Sequence, residues 1–330
     1  MPKKQLTYFC SSDYVKYREH MLDLHQREYG TETGSSRFYD SFYPDNPAGN
    51  PLLGLCFDGD RLVAQENYIY QPVASRGTVH GGAIGINTIV DPKYRLFYGV
   101  FKKLVQLTMD ELKQDCDVLG AYANEDSKKY YLKYFNWQVA ANVGLYKKFI
   151  GRSGSFAERM LSLLRPGKQN TKVRLTPTAL FEPGLLDSII NDHVAHTKYS
   201  RFHKSAAFLN WKFLQNSFYQ CKGYYIESRG RVCGYVVVCE DADQLKIADF
   251  LIEHDDTEIF EAMVQTLACT GAANKHKRLV IYATPGCWYV WSLRKHFFFR
   301  RWSFEYIAAV IGQKNIDPNW VVQMGDFDIM

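Results

Sequence analysis

No window of this sequence approaches the roughly 18 consecutive apolar residues that span a bilayer. The start, Met1-Pro2-Lys3-Lys4-Gln5, has no apolar run behind it. Neither a transmembrane helix nor a secretory leader is therefore expected, and the chain is read as cytoplasmic. None of the eight cysteines (Cys10, Cys56, Cys116, Cys221, Cys233, Cys239, Cys269 and Cys287) stands in a C-x-x-C pair or beside histidines at zinc-ligand spacing. No metal is read from them, and they are expected to be reduced, small core residues. A strong charge bias is missing too. The 40 basic and 35 acidic residues leave a net charge of only +5, and the basic ones are scattered, which argues against a nucleic-acid partner and suits an anionic cofactor.

What is present is enough apolar and aromatic material, 46% and 15% of 330 residues, to bury packed cores without staples. Single cores stop growing near 250–300 residues, so two domains are expected. Residues 13–29 read as an amphipathic helix. A turn-dense loop follows with Pro44, Asn46-Pro47, Gly49 and Asn50-Pro51. Leu52–Phe57 and Arg61–Val73 flank Asp58-Gly59-Asp60 as a hairpin. Ala83–Val90 is almost wholly apolar, as a central strand buried on both faces must be. Val100–Lys113 reads as a helix, Val118–Ala123 as a strand, Asn124–Phe135 as a helix and Val139–Phe149 as a closing strand. The order is α/β with a mixed sheet.

Residues 151–172 change character, with Gly151, Ser153, Gly154, Pro166 and Gly167 around the apolar Met160–Leu164, as an interdomain connection does. The order of elements then starts again. Leu185–His193 reads as a helix, Tyr224–Ile226 and Val232–Cys239 as a hairpin about Gly230, and Gln244–Ile252 as a strand. Thr257–Thr270 reads as a helix, Leu279–Ala283 as a strand, Trp288–His296 as a helix and Ser303–Ile311 as a closing strand. Phe42, Asn46 and Gly59 recur as Phe213, Asn216 and Gly230 at similar distances, a weak internal repeat. Domains are expected at 1–150 and 173–330, joined by 151–172.

Chemistry concentrates in Val90-Asp91-Pro92-Lys93-Tyr94-Arg95-Leu96-Phe97-Tyr98-Gly99-Val100-Phe101-Lys102. A buried strand ends, a basic turn follows, and a glycine opens an apolar helix. Free N–H groups at a helix start attract anions, and a glycine lets a diphosphate approach the backbone. The corresponding turn in the second half, Glu253-His254-Asp255-Asp256, has no glycine and is too acidic for a phosphate.

At these residues the chain resembles the GNAT acetyltransferase superfamily, whose signature after the fourth strand is V-x-P-x-Y-R-G-x-G-I-G, or the same string ending in G-I-F. Val90, Pro92, Tyr94, Arg95, Gly99, Val100 and Phe101 fit, while Leu96 and Phe97 replace the first glycine region. Asn124, Ser127 and a tyrosine-rich helix resemble the next motif. The resemblance covers the first domain and, as a degenerate copy, the second. It extends to tandem members associated with surface-polysaccharide biosynthesis through Asn46-Pro47-x-Gly49, Leu209-Asn210-Trp211 and Gly325-Asp326-Phe327-Asp328.

The resemblance implies an acyl-CoA N-acyltransferase using acetyl-CoA as co-substrate. Tyr98, Gly99, Val100, Phe101 and Lys102 would hold the pyrophosphate with Arg95 assisting. The edge of Thr88, Ile89 and Val90 would pair with the pantetheine arm beside Asn124, and an N–H near Ile89 or Val90 would meet the oxyanion. Glu66 and His80 are candidate bases and Tyr131, with Tyr130 and Tyr134 on the same helix, the candidate acid. The acceptor implied is a small-molecule amine, an amino sugar linked to a nucleotide or a lipid, bound between the domains. Two rivals stand beside this reading: a FemAB-like aminoacyl transferase, against which the modest charge speaks, and a non-catalytic binding module.

Overall fold

Asp13 accepts the Lys16 backbone N–H at 3.0 Å, and Gly30 closes the helix in the left-handed region, so α1 runs from Tyr14 to Tyr29 between a polar cap and a glycine stop. The computed structural model describes residues 6–30, 35–95, 99–150, 173–312 and 316–327. The expected linker 151–172, Leu96, Phe97, Tyr98 and Asp328 lie outside these residues. The chain divides into two units, one of 1–73, 80–138 and 307–315, the other of 74–79, 139–306 and 316–330.

In the first unit the strands are β1 (Leu6–Ser11), β2 (Leu52–Asp58), β3 (Arg61–Tyr70), β6 (Gly82–Val90) and β7 (Val118–Ala121), in that spatial order. The short strands β4 (Val73–Ser75) and β5 (Thr78–His80) belong to a separate three-stranded sheet. The pairs β1–β2, β2–β3 and β3–β6 are antiparallel, whereas β6–β7 is parallel and is bridged by the helix α4 (Gly99–Leu112). A four-residue turn of helix, α3 (Pro92–Arg95), precedes α4. Leu104, Val105 and Leu112 of α4 and Tyr131 of α5 (Glu125–Tyr134) are buried in the apolar clusters on this face. The helix α2 (Ser35–Phe42), which buries Tyr39 and Phe42, was not legible in the sequence.

The second unit repeats the order. Its strands run β8 (Gln138–Phe149), β14 (Arg278–Ala283), β13 (Gln244–Ile252), β12 (Arg231–Asp241), β11 (Cys221–Ser228) and β9 (Val173–Thr178). Here too a parallel pair, β13–β14, is bridged by a helix, α8 (Thr257–Ala273). The remaining elements are α6 (Pro183–His196), β10 (Arg201–Phe202), α7 (Ala206–Leu209) with a π-helical turn after it, α9 (Val290–Lys295) and β15 (Phe299–Val310).

The closing strands do not close the domains they follow. β8 lies antiparallel to β14, from Gly144↔Ala283 to Phe149↔Arg278, and the end of β15 lies antiparallel to β7, from Ile307↔Ala121 to Val310↔Val118. Each unit is thus completed by a strand from the other half of the sequence. Both strands carry the same apolar and aromatic character, which fits either vacant sheet edge. The cysteine expectation also needs correction at one pair. Cys221 and Cys239 face each other in the β11–β12 register and are joined as a disulfide, while the other six are free thiols. No helix among the described residues is long and apolar enough to cross a membrane.

Candidate functional site

Ten residues of β3 run through the middle of the first sheet, and at its centre four consecutive ones, Gln65, Glu66, Asn67 and Tyr68, are polar and fully buried. Opposite them β6 carries a bulge: Gln65 pairs with Ile89 and Asn67 with Ile86, so Asn87 and Thr88 together face Glu66. Asn87 adopts φ +53° to make it, the left-handed conformation that asparagine tolerates better than most residues. On the α2 side the Gln65 amide donates to the Tyr39 hydroxyl at 2.8 Å and to the Asn87 carbonyl at 3.0 Å. The amides of Asn67 and Asn87 donate to the Tyr43 hydroxyl at 3.1 and 3.2 Å. The bulge is held by side chains as well as by its strand.

On the opposite face the Tyr131 hydroxyl donates to Glu66 Oε1 at 2.6 Å. Burial pushes the Glu66 carboxyl above its ordinary range, and the hydroxyls of Thr88, Tyr131 and Tyr68 pull it only part of the way back. Burial, with the Glu66 charge next, also drives the Tyr131 phenol well above 10. Glu66 Oε2 is shut from solvent, and among the described residues no donor, the nearby Thr88 and Tyr68 hydroxyls included, meets it in full hydrogen-bond geometry. Such an orphan costs on the order of 1–3 kcal/mol and calls for an explanation. Glu66, Thr88 and Tyr131 are therefore brought together at the bulge. His80 is not: it ends β5, before β6 begins at Gly82, and lies 3.8 Å from Asp117, whereas Thr88 is near the other end of β6.

β6 and β7 are paired only from Gly82↔Val118 to Gly85↔Ala121. Beyond that point they part, and no other described strand takes the β7-facing edge of Ile86–Val90. Thr88 and Val90 on this edge are half-buried. At its end Gly99 begins α4, and a Cβ built there meets no atom within 4 Å. Val100 points into the core, Phe101 packs edge-on against Tyr131, and the Lys102 ammonium lies over the Tyr134 ring. The first turn of α4 holds no acidic residue. Arg95 donates to the Val90 carbonyl at 2.9 Å and pairs with Glu28 of α1, so it braces the turn. Asn124 caps α5 by accepting the Ser127 N–H at 2.8 Å. Tyr98 lies outside the described residues.

In the second unit the same parting of strands is filled. β13 and β14 are paired only from Gln244↔Arg278 to Ile247↔Ile281, and the C-terminal segment enters beyond. The Val322 N–H donates to Thr284 Oγ1 at 3.2 Å, and the Gln323 amide donates to the Phe250 carbonyl at 3.0 Å. Asp326 accepts the Gln323 N–H at 2.7 Å and an N–H of Lys204, whose ammonium also lies 2.6 Å from Asp249. Lys204, Asp249 and Asp326 are all buried. Gly325 is required: a Cβ there would lie 2.7 Å from Phe213 Cζ and 2.8 Å from Asp249 Oδ2. The start of α8 is occupied too, since the Asp256 carboxylate takes the N–H groups of Glu258 and Ile259 at 2.8 and 3.1 Å.

The segments around Asn46, Asn210 and Gly325 all lock loops. Asn46 bonds Tyr70 O and the Ala48 N–H, Asn210 bonds both backbone groups of Phe181, and Gly325 to Phe327 sit in the filled cleft. The bulge, the orphaned carboxylate oxygen and the plug were missed in the sequence. An asparagine inside the apolar run Ala83–Val90 was the available signal for the first.

No family model matches the sequence, and no curated protein matches it. Solved structures do. A GCN5-related N-acetyltransferase from Anabaena variabilis superposes with TM-score 0.70 at 12% identity, over 93% of this chain and 73% of that one. The fold is that of the GNAT acyltransferases. The Saccharomyces cerevisiae N-myristoyltransferase with bound myristoyl-CoA gives TM-score 0.61 at 10% identity, over 93% of this chain and 83% of that one. A tandem GNAT protein from the clavulanic acid biosynthesis pathway gives 0.57 at 9%, over 94% of this chain and all of that one.

Proposed function

We propose that this chain is an acyl-CoA-dependent N-acyltransferase whose acyl-CoA lies in the first unit, along the β7-facing edge of Thr88–Val90 with its pyrophosphate at the start of α4. The contrast between the two strand partings carries the reading, since no described strand takes one edge and the other is occupied by the chain's own Val322–Phe327. The residues present suit the group: an open approach at Gly99, basic side chains at Lys102 and Lys103, and no acid in the first turn. CoA would supply the acyl thioester.

The amine acceptor loses a proton to Glu66, directly or through a water, as its nitrogen bonds to the acyl carbon. The thioester C–S bond breaks, and Tyr131 protonates the leaving thiolate. Glu66 then returns the proton to Tyr131 through the 2.6 Å hydrogen bond. The net result is one proton moved from nitrogen to sulfur, and both residues are restored. An amino sugar linked to a nucleotide or lipid is the acceptor class proposed for the first screen; it rests on the motif resemblance alone.

Calorimetric titration with CoA, acetyl-CoA and longer acyl-CoAs, on wild type and Gly99→Glu, tests the reading. Saturable binding lost in a folded Gly99→Glu supports it. Absence of binding for every donor, or binding indifferent to Gly99→Glu, overturns the assignment of the site.

A further inference from the structure

The second unit uses the turn after its parallel strand differently from the first. Its Glu253–Asp255 turn places two consecutive non-glycine residues, His254 at φ +56° and Asp255 at φ +53°, in the left-handed region, a conformation that residues with a Cβ disfavour. It brings the His254 ring to 5.9 Å from that of His196, at 80°. His196 lies at the end of α6, one turn after Asp192, and its Nδ1 is 2.8 Å from the Asp192 carbonyl oxygen. That carbonyl fixes the tautomer with the proton on Nδ1, which turns the Nε2 lone pair away from the helix. Asp192 Oδ2 is shut from solvent and has no hydrogen-bond partner.

We propose that Asp192, His196 and His254 form a binding site for a divalent transition ion of the zinc class. One ligand atom from each lies within 4.8 Å of the others. Bonds of about 2.0–2.1 Å in tetrahedral array need ligand atoms roughly 3.3–3.5 Å apart, a closure of little more than 1 Å that side-chain rotation supplies on an exposed surface. The i, i+4 spacing of Asp192 and His196 puts both on one helix face. Two imidazoles and one carboxylate favour zinc, cobalt or nickel over calcium or magnesium, which prefer oxygen. The fourth position opens to solvent and would hold water. The ion would tie α6 to the turn that opens α8, so that the place where the first unit offers an anion site is, in the second, a cation site.

The ordinary alternative is a surface cluster in which His196 simply faces Asp192 at 3.7 Å. The test uses the full chain, metal-stripped and free of any histidine tag, titrated calorimetrically with Zn²⁺ and followed with Co²⁺ by visible absorption. The expected result is one saturable Zn²⁺ equivalent. Affinity should fall roughly tenfold or more in His196→Ala and in His254→Ala, and a cobalt spectrum without a thiolate charge-transfer band should vanish in both. Zn²⁺ should raise the melting temperature of wild type and not of the variants. The site is overturned by no saturable binding, by affinity unchanged in both histidine variants, or by a thiolate band that places the ion on the free cysteines. All three side chains are partly or well exposed, so the variants should fold, and unchanged urea midpoints without metal would show it.

Discussion

The two units share one strand order and treat their buried acids in opposite ways. In the first, Glu66 sits on the second hairpin strand without a cation, held by a tyrosine from the helix that follows the parallel pair. In the second, the tyrosine is on the hairpin strand: Tyr235 donates to Asp249 at 2.8 Å, and Lys204 neutralises Asp249 and Asp326 together. Burial alone would lower the Lys204 ammonium, but the two carboxylates hold it charged. A carboxylate with a spare oxygen suits proton transfer, whereas one locked to lysine suits a fastening. The same scaffold therefore carries a buried acid held by a tyrosine beside an edge that no described strand takes, and a neutralised one beside a plug.

The comparison is broken most directly by removing the acid and the phenol of the first unit. Glu66→Gln and Tyr131→Phe should each lower kcat by about 10²–10⁴-fold while leaving acyl-CoA affinity unchanged, measured by steady-state turnover and calorimetry on the same preparations. His80→Ala should leave kcat near wild type, because His80 ends β5 and faces Asp117, with nearly all of β6 between it and Thr88. Wild-type turnover in Glu66→Gln or Tyr131→Phe would make that residue a core polar group and nothing more.

The plug should respond in stability rather than in turnover. Lys204→Met leaves two buried carboxyls facing each other without their cation, a loss of about 3–5 kcal/mol on breaking such a group from one side. Urea unfolding monitored at neutral pH measures it. A change under 1 kcal/mol would mean that the segment 322–327 is held mainly by apolar contacts such as those of Phe327, which packs edge-on to Phe304 and Tyr282.

Helix starts sharpen the contrast further. Gly99→Glu should weaken CoA binding by roughly 100-fold or more through bulk and like charge. Asp256→Ala, at the equivalent place in the second unit, should leave CoA affinity alone and cost only about 1 kcal/mol as a lost helix cap. Equal effects on CoA from both substitutions would place the cofactor in neither cleft as described.

Element types were largely legible because their signals are local. Asp13 and Gly30 bracket α1, Asp58-Gly59 turns the first hairpin, and the apolar run before Asp91-Pro92 makes a central strand. Glu66 and Tyr131 were legible as candidates through the family resemblance, although nothing in their spacing of 65 residues foretold a hydrogen bond. Pairing partners were not legible. Residues 139–149 read as a strand whichever sheet they join, and the choice of β14 is decided by the fit of whole edges. The plug was hidden for a related reason: Val321 to Asp326 has no regular period, and its role lies in polar contacts with Phe250, Thr284 and Lys204 far away in sequence.

The smallest effect concerns the protonation of Glu66 itself. Burial raises its folded-state pKa above the ordinary value of 4.5, so the fold favours the neutral acid. The contribution of that acid to stability is complete below the unfolded pKa and is lost as pH rises through the raised folded value. Glu66→Gln keeps a neutral side chain of the same shape and has no such loss. The stability of wild type relative to Glu66→Gln should therefore decline as pH climbs from 4.5, by no more than about 1.4 kcal/mol per pH unit, and level off once Glu66 is ionised. Urea midpoints of the two proteins across a pH series measure the difference, and turnover should rise over the same interval as the base becomes available. A flat difference would mean that Glu66 ionises in its ordinary range, with water reaching the oxygen that now has no partner, and its pH response would then match that of any solvated carboxylate.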